Sequence, residues 1–159
     1  MKKILVATDG SEAAAEAAEV AVELAEEHDA ELIFVHSVPV VDVVPAFGFG
    51  FAGAVVHEPS AYDRALLEDA AQLAEEHGVR ATTVLLRGDT IDEIVAYADS
   101  RDVDLIVVGS RGHGAIATAL LGSISRGVMR ESKRPVLVVR ASSVEPRAAR
   151  SPAGAVLTP

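Results

Sequence analysis

Residues 104–140 read DLIVVGSRGHGAIATALLGSISRGVMRESKRPVLVVR, and this stretch decides the fold. An apolar run over 105–108 stops at Gly109, and Gly112 and Gly114 follow in a loop. Gly122 and Ser123 then open a helical pattern over about 122–132, and Pro135 leads into a second apolar run, Val136–Val139. Strand, glycine loop, helix and strand in that order make one βαβ unit. The start of its helix offers unpaired backbone N–H groups at the positive end of a dipole, which suits an anion.

Outward from this unit, the remaining chain repeats the same alternation. Residues 2–8, KKILVAT, form an apolar run too short for a helix and predict a buried first strand. Asp9-Gly10-Ser11 is turn chemistry, with Ser11 placed to cap a helix whose Ala14, Ala17, Ala18, Ala21, Leu24 and Ala25 recur at helical spacing. A second strand is expected over 31–36, a helix from Ser60 to about His77 closed by Gly78, and a third strand over 79–86. Thr90 with Glu93 predicts a capping box for a short helix that buries Ile91, Ile94, Val95 and Ala98. The fourth and fifth strands fall at 104–108 and 135–140. Residues 37–59, with Pro39, Pro45, Pro59 and the centre AFGFGFAGAVV, fit no regular element. A loop this long either covers a ligand mouth or a neighbouring subunit, or is a variable insertion. Residues 141–159 read as a flexible tail after one domain over 1–140.

Fully apolar strands alternating with helices predict an α/β fold, a doubly wound five-stranded parallel sheet of Rossmann-like type. Ligands in such sheets sit beyond the carboxyl ends of strands, where the winding reverses. For the first and fourth strands to flank one crevice, the order is 3-2-1-4-5. The strand ends there offer Ala7-Thr8-Asp9, His36-Ser37 and Gly109-Ser110.

Composition narrows the function classes. Half of the chain is hydrophobic but only 4% is aromatic, so the core is built of Val, Leu, Ile and Ala. No apolar run approaches the roughly 18 residues of a membrane span, and a strand pattern at the N-terminus leaves no signal peptide, so a cytoplasmic protein with no membrane partner is expected. The absence of cysteine excludes disulfides, thiolate chemistry and sulfur-ligated metals. A net charge of -10 argues against nucleic acid as a partner. Against that acidic body, Arg111, Arg126, Arg130, Lys133, Arg134 and Arg140 oppose only Glu131 over residues 109–140. Such a segment either receives a small anion or solvates helix faces.

The glycines are a spaced set. Gly109 permits close backbone approach by a ligand, and Gly112 and Gly114 permit positive φ. The helix start Gly122-Ser123-Ile124-Ser125 supplies amides and two hydroxyls for phosphate oxygens, although the same glycines also suit a plain strand–helix turn. The lysine of a Walker loop is absent, and the dinucleotide GxGxxG belongs after the first strand. His113 is a phosphate donor or a bystander in the loop; His36 reads as a satisfied buried histidine; His28, His57 and His77 have no metal spacing. No nucleophile–base pair or carboxylate pair assembles, so no catalytic or metal-ligating residue is expected, and any hydrolysis is slow.

Gly109, Gly112, Gly122 and Ser123 reproduce the spacing Gly, two residues, Gly, nine residues, Gly-Ser, and with the flanks 104–108 and 134–139 and the N-terminal KILVATDGS they resemble the ATP-binding subgroup of the universal stress proteins, which are UspA-like. The resemblance covers residues 1–140 and implies an adenine nucleotide alpha hydrolase-like fold; Ala7 stands where some members have proline. It implies ATP with Mg²⁺, the phosphates against Gly112, His113, Gly114 and Gly122, Ser123, Ile124 and Ser125. Gly109, Ser110 and Arg111 would follow the ribose and phosphates, Ala7, Thr8 and Asp9 would line the adenosine end, and the Ser37 backbone would meet adenine. Asp9 is then a Mg²⁺ partner through water, a nucleotide partner or a turn residue. The family also implies a homodimer through Val136–Val139, unless the tail covers that edge. The expected function is a nucleotide-responsive regulator in stress adaptation; the alternative is a slow ATPase or adenylyl-handling enzyme on the same fold. A phospho-receiver domain is disfavoured, because the third strand ends Leu85-Leu86-Arg87 and Asp9 stands alone at the first.

Overall fold

A computed structural model describes residues 1–44, 53–111 and 121–141. In chain order the elements are β1 (Lys3–Ala7), α1 (Glu12–His28), β2 (Glu31–Val38), β3 (Val41–Val44), β4 (Gly53–Val56), α2 (Ala61–Glu76), β5 (Ala81–Arg87), α3 (Thr90–Ser100), β6 (Leu105–Gly109), α4 (Ser123–Glu131) and β7 (Val136–Val139). The main sheet runs β5-β2-β1-β6-β7 with every neighbour parallel. Counting only its own strands, that is the order 3-2-1-4-5 expected from the sequence.

Alternation along the strands splits the core in two. Ile4, Val6, Leu32, Phe34 and Val107 face α1 and α2, while Leu5, Ile33, Val35, Ile106 and Val108 face α3 and α4. Ala14, Ala17, Ala18, Ala21 and Ala25 bring α1 close to the sheet, as their spacing predicts. The winding reverses between β1 and β6, which pair from Ile4↔Leu105 to Ala7↔Val108. The carboxyl ends of these two strands therefore open a crevice.

Two local expectations are corrected. The stretch expected to lack regular structure contains an antiparallel pair, β3 with β4, in the register Val41↔Val56 to Val44↔Gly53. Each strand has only four residues, too few to register as a period, and Pro39, Pro45 and Pro59 all lie outside the paired segments. The centre of that stretch, residues 45–52, and the tail, residues 142–159, lie outside the described residues. At α3 the cap is Asp89, not Thr90: its Oδ1 accepts from the N–H groups of Ile91 at 3.0 Å and Asp92 at 3.2 Å. A carboxylate one residue upstream satisfies two orphan amides beside the helix dipole, which displaces the Thr90–Glu93 box.

Candidate nucleotide-binding crevice

The crevice at the switch point measures about 290 Å³. Its floor is level by register: Ala7 pairs with both Val35 and Val108, and all three line it. Three loops or helix starts rise around that floor. The first is Thr8-Asp9 after β1, the second Thr90 and Ile94 of α3, and the third the residues 122–125 at the start of α4.

The turn after β1 is fixed from several sides. Thr8 N–H donates to the Val35 carbonyl at 2.9 Å, and Asp9 Oδ1 accepts from Ser11 N–H at 2.9 Å. Ser11 caps α1 as expected, its Oγ accepting from Ala14 N–H, and the same hydroxyl donates to the Arg111 carbonyl at 3.2 Å. One serine thus ties the start of α1 to the start of the glycine loop. Gly10 has φ of +78°, a conformation that side-chain-bearing residues rarely adopt. A Cβ there would also meet Leu66 Cδ2 at 2.6 Å and Tyr62 Oη at 2.7 Å, so α2 leans directly on this turn.

His36 makes the second tie to α2. The Thr8 carbonyl only accepts, so Nδ1–H donates to it at 2.8 Å. On the other side of the ring, Nε2 lies 2.8 Å from Asp63 Oδ1. Asp63 Oδ2 accepts from Ser60 N–H at 2.7 Å and Ser60 Oγ–H at 2.6 Å, completing a capping box for α2. These hydrogen bonds, those from Ser60 foremost, hold the Asp63 carboxyl down at about 2. With Asp63 ionised, both neighbours of the imidazole are acceptors.

The α4 entrance differs from the other three helix starts. The side-chain oxygens of Ser11, Ser60 and Asp89 each accept from amide N–H groups of their own helix, whereas Gly122 provides no side-chain cap. Its backbone is anchored instead: Gly122 N–H donates to the Ser110 carbonyl at 2.7 Å. Ser125 Oγ lies within hydrogen-bonding distance of the Ser110 and Gly122 carbonyls, at 3.2 and 3.1 Å. Its hydroxyl therefore braces the loop rather than facing outward, which narrows the role expected of it. Ser110 is buried behind the wall, its N–H bonded to Val139 O at 2.6 Å.

Of the residues singled out from sequence, Ala7, Thr8, Asp9, Ser37, Gly109, Arg111, Gly122, Ser123, Ile124 and Ser125 come together along the crevice. Gly112, His113 and Gly114 lie outside the described residues. Thr90 and Ile94 were missed as lining residues, because only the packing of α3 against the sheet brings them there. Gly109 lines the crevice and also makes room for a neighbouring helix: a Cβ on it would meet the backbone of Ala13 and Ala14 of α1 at 2.7–2.8 Å. Among the described residues, no group of three or more His, Asp or Glu side chains could hold a metal ion, and no helix is long and apolar enough to cross a membrane.

The family model of the universal stress proteins matches residues 1–140. The chain belongs to the universal stress protein family. Universal stress protein MJ0531 of Methanocaldococcus jannaschii is 38% identical over 142 residues, covering 87% of this chain and 82% of that one. A universal stress protein solved in complex with cAMP matches with a TM-score of 0.68 at 30% identity, over 89% of this chain and 98% of that chain. The Archaeoglobus fulgidus universal stress protein in complex with dAMP matches with a TM-score of 0.65 at 25% identity, over 87% of this chain and 98% of that one.

Proposed function

We propose that this universal stress protein binds ATP in the crevice, with Mg²⁺ accompanying the phosphates, and acts as a nucleotide-responsive regulatory homodimer in stress adaptation. The observation that carries the reading is the α4 entrance, a helix start without a side-chain cap that opens on a crevice at the switch point. Arg111 adds a cation to the same wall. Two relatives solved with cAMP and dAMP support an adenine nucleotide as the ligand class. Mg²⁺ normally keeps several waters and needs only one or two carboxylates besides phosphate oxygens. Asp9, the carboxylate of the crevice wall, suits that modest demand. A regulatory role is favoured by the course of α4, which begins at the crevice and leads through Ser132 to the edge strand β7. The ligand site and the proposed subunit seam share that helix.

Equilibrium dialysis with labelled ATP, AMP and cAMP, with and without Mg²⁺, tests the reading. Saturable binding of one ATP per chain is expected, strengthened by Mg²⁺. Gly122 has φ of -70°, open to any residue, so Gly122→Val keeps the backbone while crowding the amides, and it should weaken ATP at least about tenfold. No saturable binding, or wild-type affinity in Gly122→Val, would defeat the reading.

A further inference from the structure

Gly127 lies on the inward face of α4 with Ser125 and Val128, all three of them buried. Its φ is not positive, unlike that of Gly10, so its backbone has no need of glycine. A glycine inside a helix of nine residues also weakens that helix relative to alanine. What Gly127 supplies is space. A Cβ there would collide with Ile91 Cδ1 and stand only 2.9 Å from Cγ1 and 3.3 Å from Cγ2. Ile91 is branched at Cβ, so its side chain has little freedom to turn aside. The missing methyl therefore lets α4 close on α3 at this point.

The contact lies beside the crevice, although neither Gly127 nor Ile91 lines it. On α3, Ile91 sits between Thr90 and Ile94, which do line it. On α4, Gly127 stands two residues beyond Ser125, the last of the lining residues 122–125. At roughly 1.5 Å of rise per residue, the contact is within about one turn of the lining residues on each helix. Both helices cover one face of the sheet, where Ile94 and Val128 belong to the core cluster against which Ile91 packs. They form two walls of one crevice, and the walls differ in kind. α4 brings the uncapped amides, and α3 brings Thr90 and the apolar Ile94.

Resting on the nucleotide reading above, we infer that Gly127 is a positioning residue for the bound nucleotide. It touches no ligand; through Ile91 it sets the width of the crevice, so that one molecule meets the amides of α4 and the α3 wall together. In a close-packed interior an added methyl at this point moves a helix. The amides tolerate little of that movement, because their hydrogen bonds to phosphate oxygens hold only near about 2.7 to 3.2 Å.

Calorimetric titration with ATP of four full chains tests this: the wild type, Gly127→Ala, Ile91→Ala and the double variant, each at a temperature where circular dichroism shows it folded. Ile91→Ala deletes all three atoms that a Cβ at position 127 would meet. Gly127→Ala should weaken ATP by about 5- to 50-fold when introduced into the wild type, and by less than about twofold in the Ile91→Ala background. A general loss of stability would not move a dissociation constant measured on folded protein, and the higher helix propensity of alanine acts in the opposite direction. The inference is overturned if Gly127→Ala binds ATP within about twofold of wild type, or if it weakens ATP equally in both backgrounds. Should Gly127→Ala alone not fold, the double variant decides. ATP affinity within about twofold of Ile91→Ala upholds the inference, and a larger loss overturns it. A wild-type chain that does not bind ATP overturns the nucleotide reading itself, and this inference with it.

Discussion

Gly109 shows how far a single residue can be read in advance. Its place at a strand end was legible, because an apolar run cannot stop so abruptly without a turn. What needed the space was not legible, since the backbone of Ala13 and Ala14 reaches it only when α1 packs across β6. Adding a Cβ against three backbone atoms at 2.7–2.8 Å forces strand and helix apart, because none of them belongs to a side chain that can rotate away. Gly109→Ala should therefore lower unfolding free energy by about 1–3 kcal/mol. Urea denaturation would record this as a lower midpoint with an unchanged slope. An unchanged midpoint would show that α1 does not need the space left by Gly109. Ser125 teaches the same lesson, since its hydroxyl was foreseeable and the carbonyls of Ser110 and Gly122 that occupy it were not.

At the scale of elements, helix starts and apolar faces were well marked, and short extended pieces were not. Ser11 and Ser60 cap the helices expected of them. The β3–β4 pair escaped because four-residue strands carry too little alternation to separate from a loop. Helix α2 offers the clearest electrostatic prediction. Asp63 titrates at about 2, below the usual carboxylate range, owing first to the hydrogen bonds from Ser60 and then to that from His36. A carboxyl lowered on folding stabilises the native state above its unfolded value near 4 and loses that contribution as the pH falls towards 2. Asp63→Ala removes the helix cap and the partner of His36 together, and should cost about 1–3 kcal/mol at pH 7. The gap from wild type should narrow between pH 4 and pH 2. Denaturant titrations of both proteins across that range would show it, and a gap independent of pH would exclude the carboxylate as its source.

For the whole molecule, strand order was legible because five apolar runs, right-handed crossovers and one shared crevice leave few arrangements. The two sheet edges differ in kind. β5 exposes Thr82, Thr83 and Arg87, which discourage pairing, while β7 presents four half-buried residues, all Val or Leu. If β7 is the subunit seam, the wild type sediments as a dimer and Val138→Lys as a monomer that still binds ATP within a few-fold. A monomeric wild type in the ultracentrifuge would remove the seam. The parallel direction of the sheet then sets the geometry of signalling. A two-fold axis that continues the sheet through β7 must run the two edge strands antiparallel, reversing the polarity of every strand in the second subunit. Because all carboxyl ends of one sheet share one rim, the paired subunits would open their crevices on opposite rims of a ten-stranded slab. A partner gripping either rim would sense one nucleotide, so such a dimer would recruit partners one per subunit.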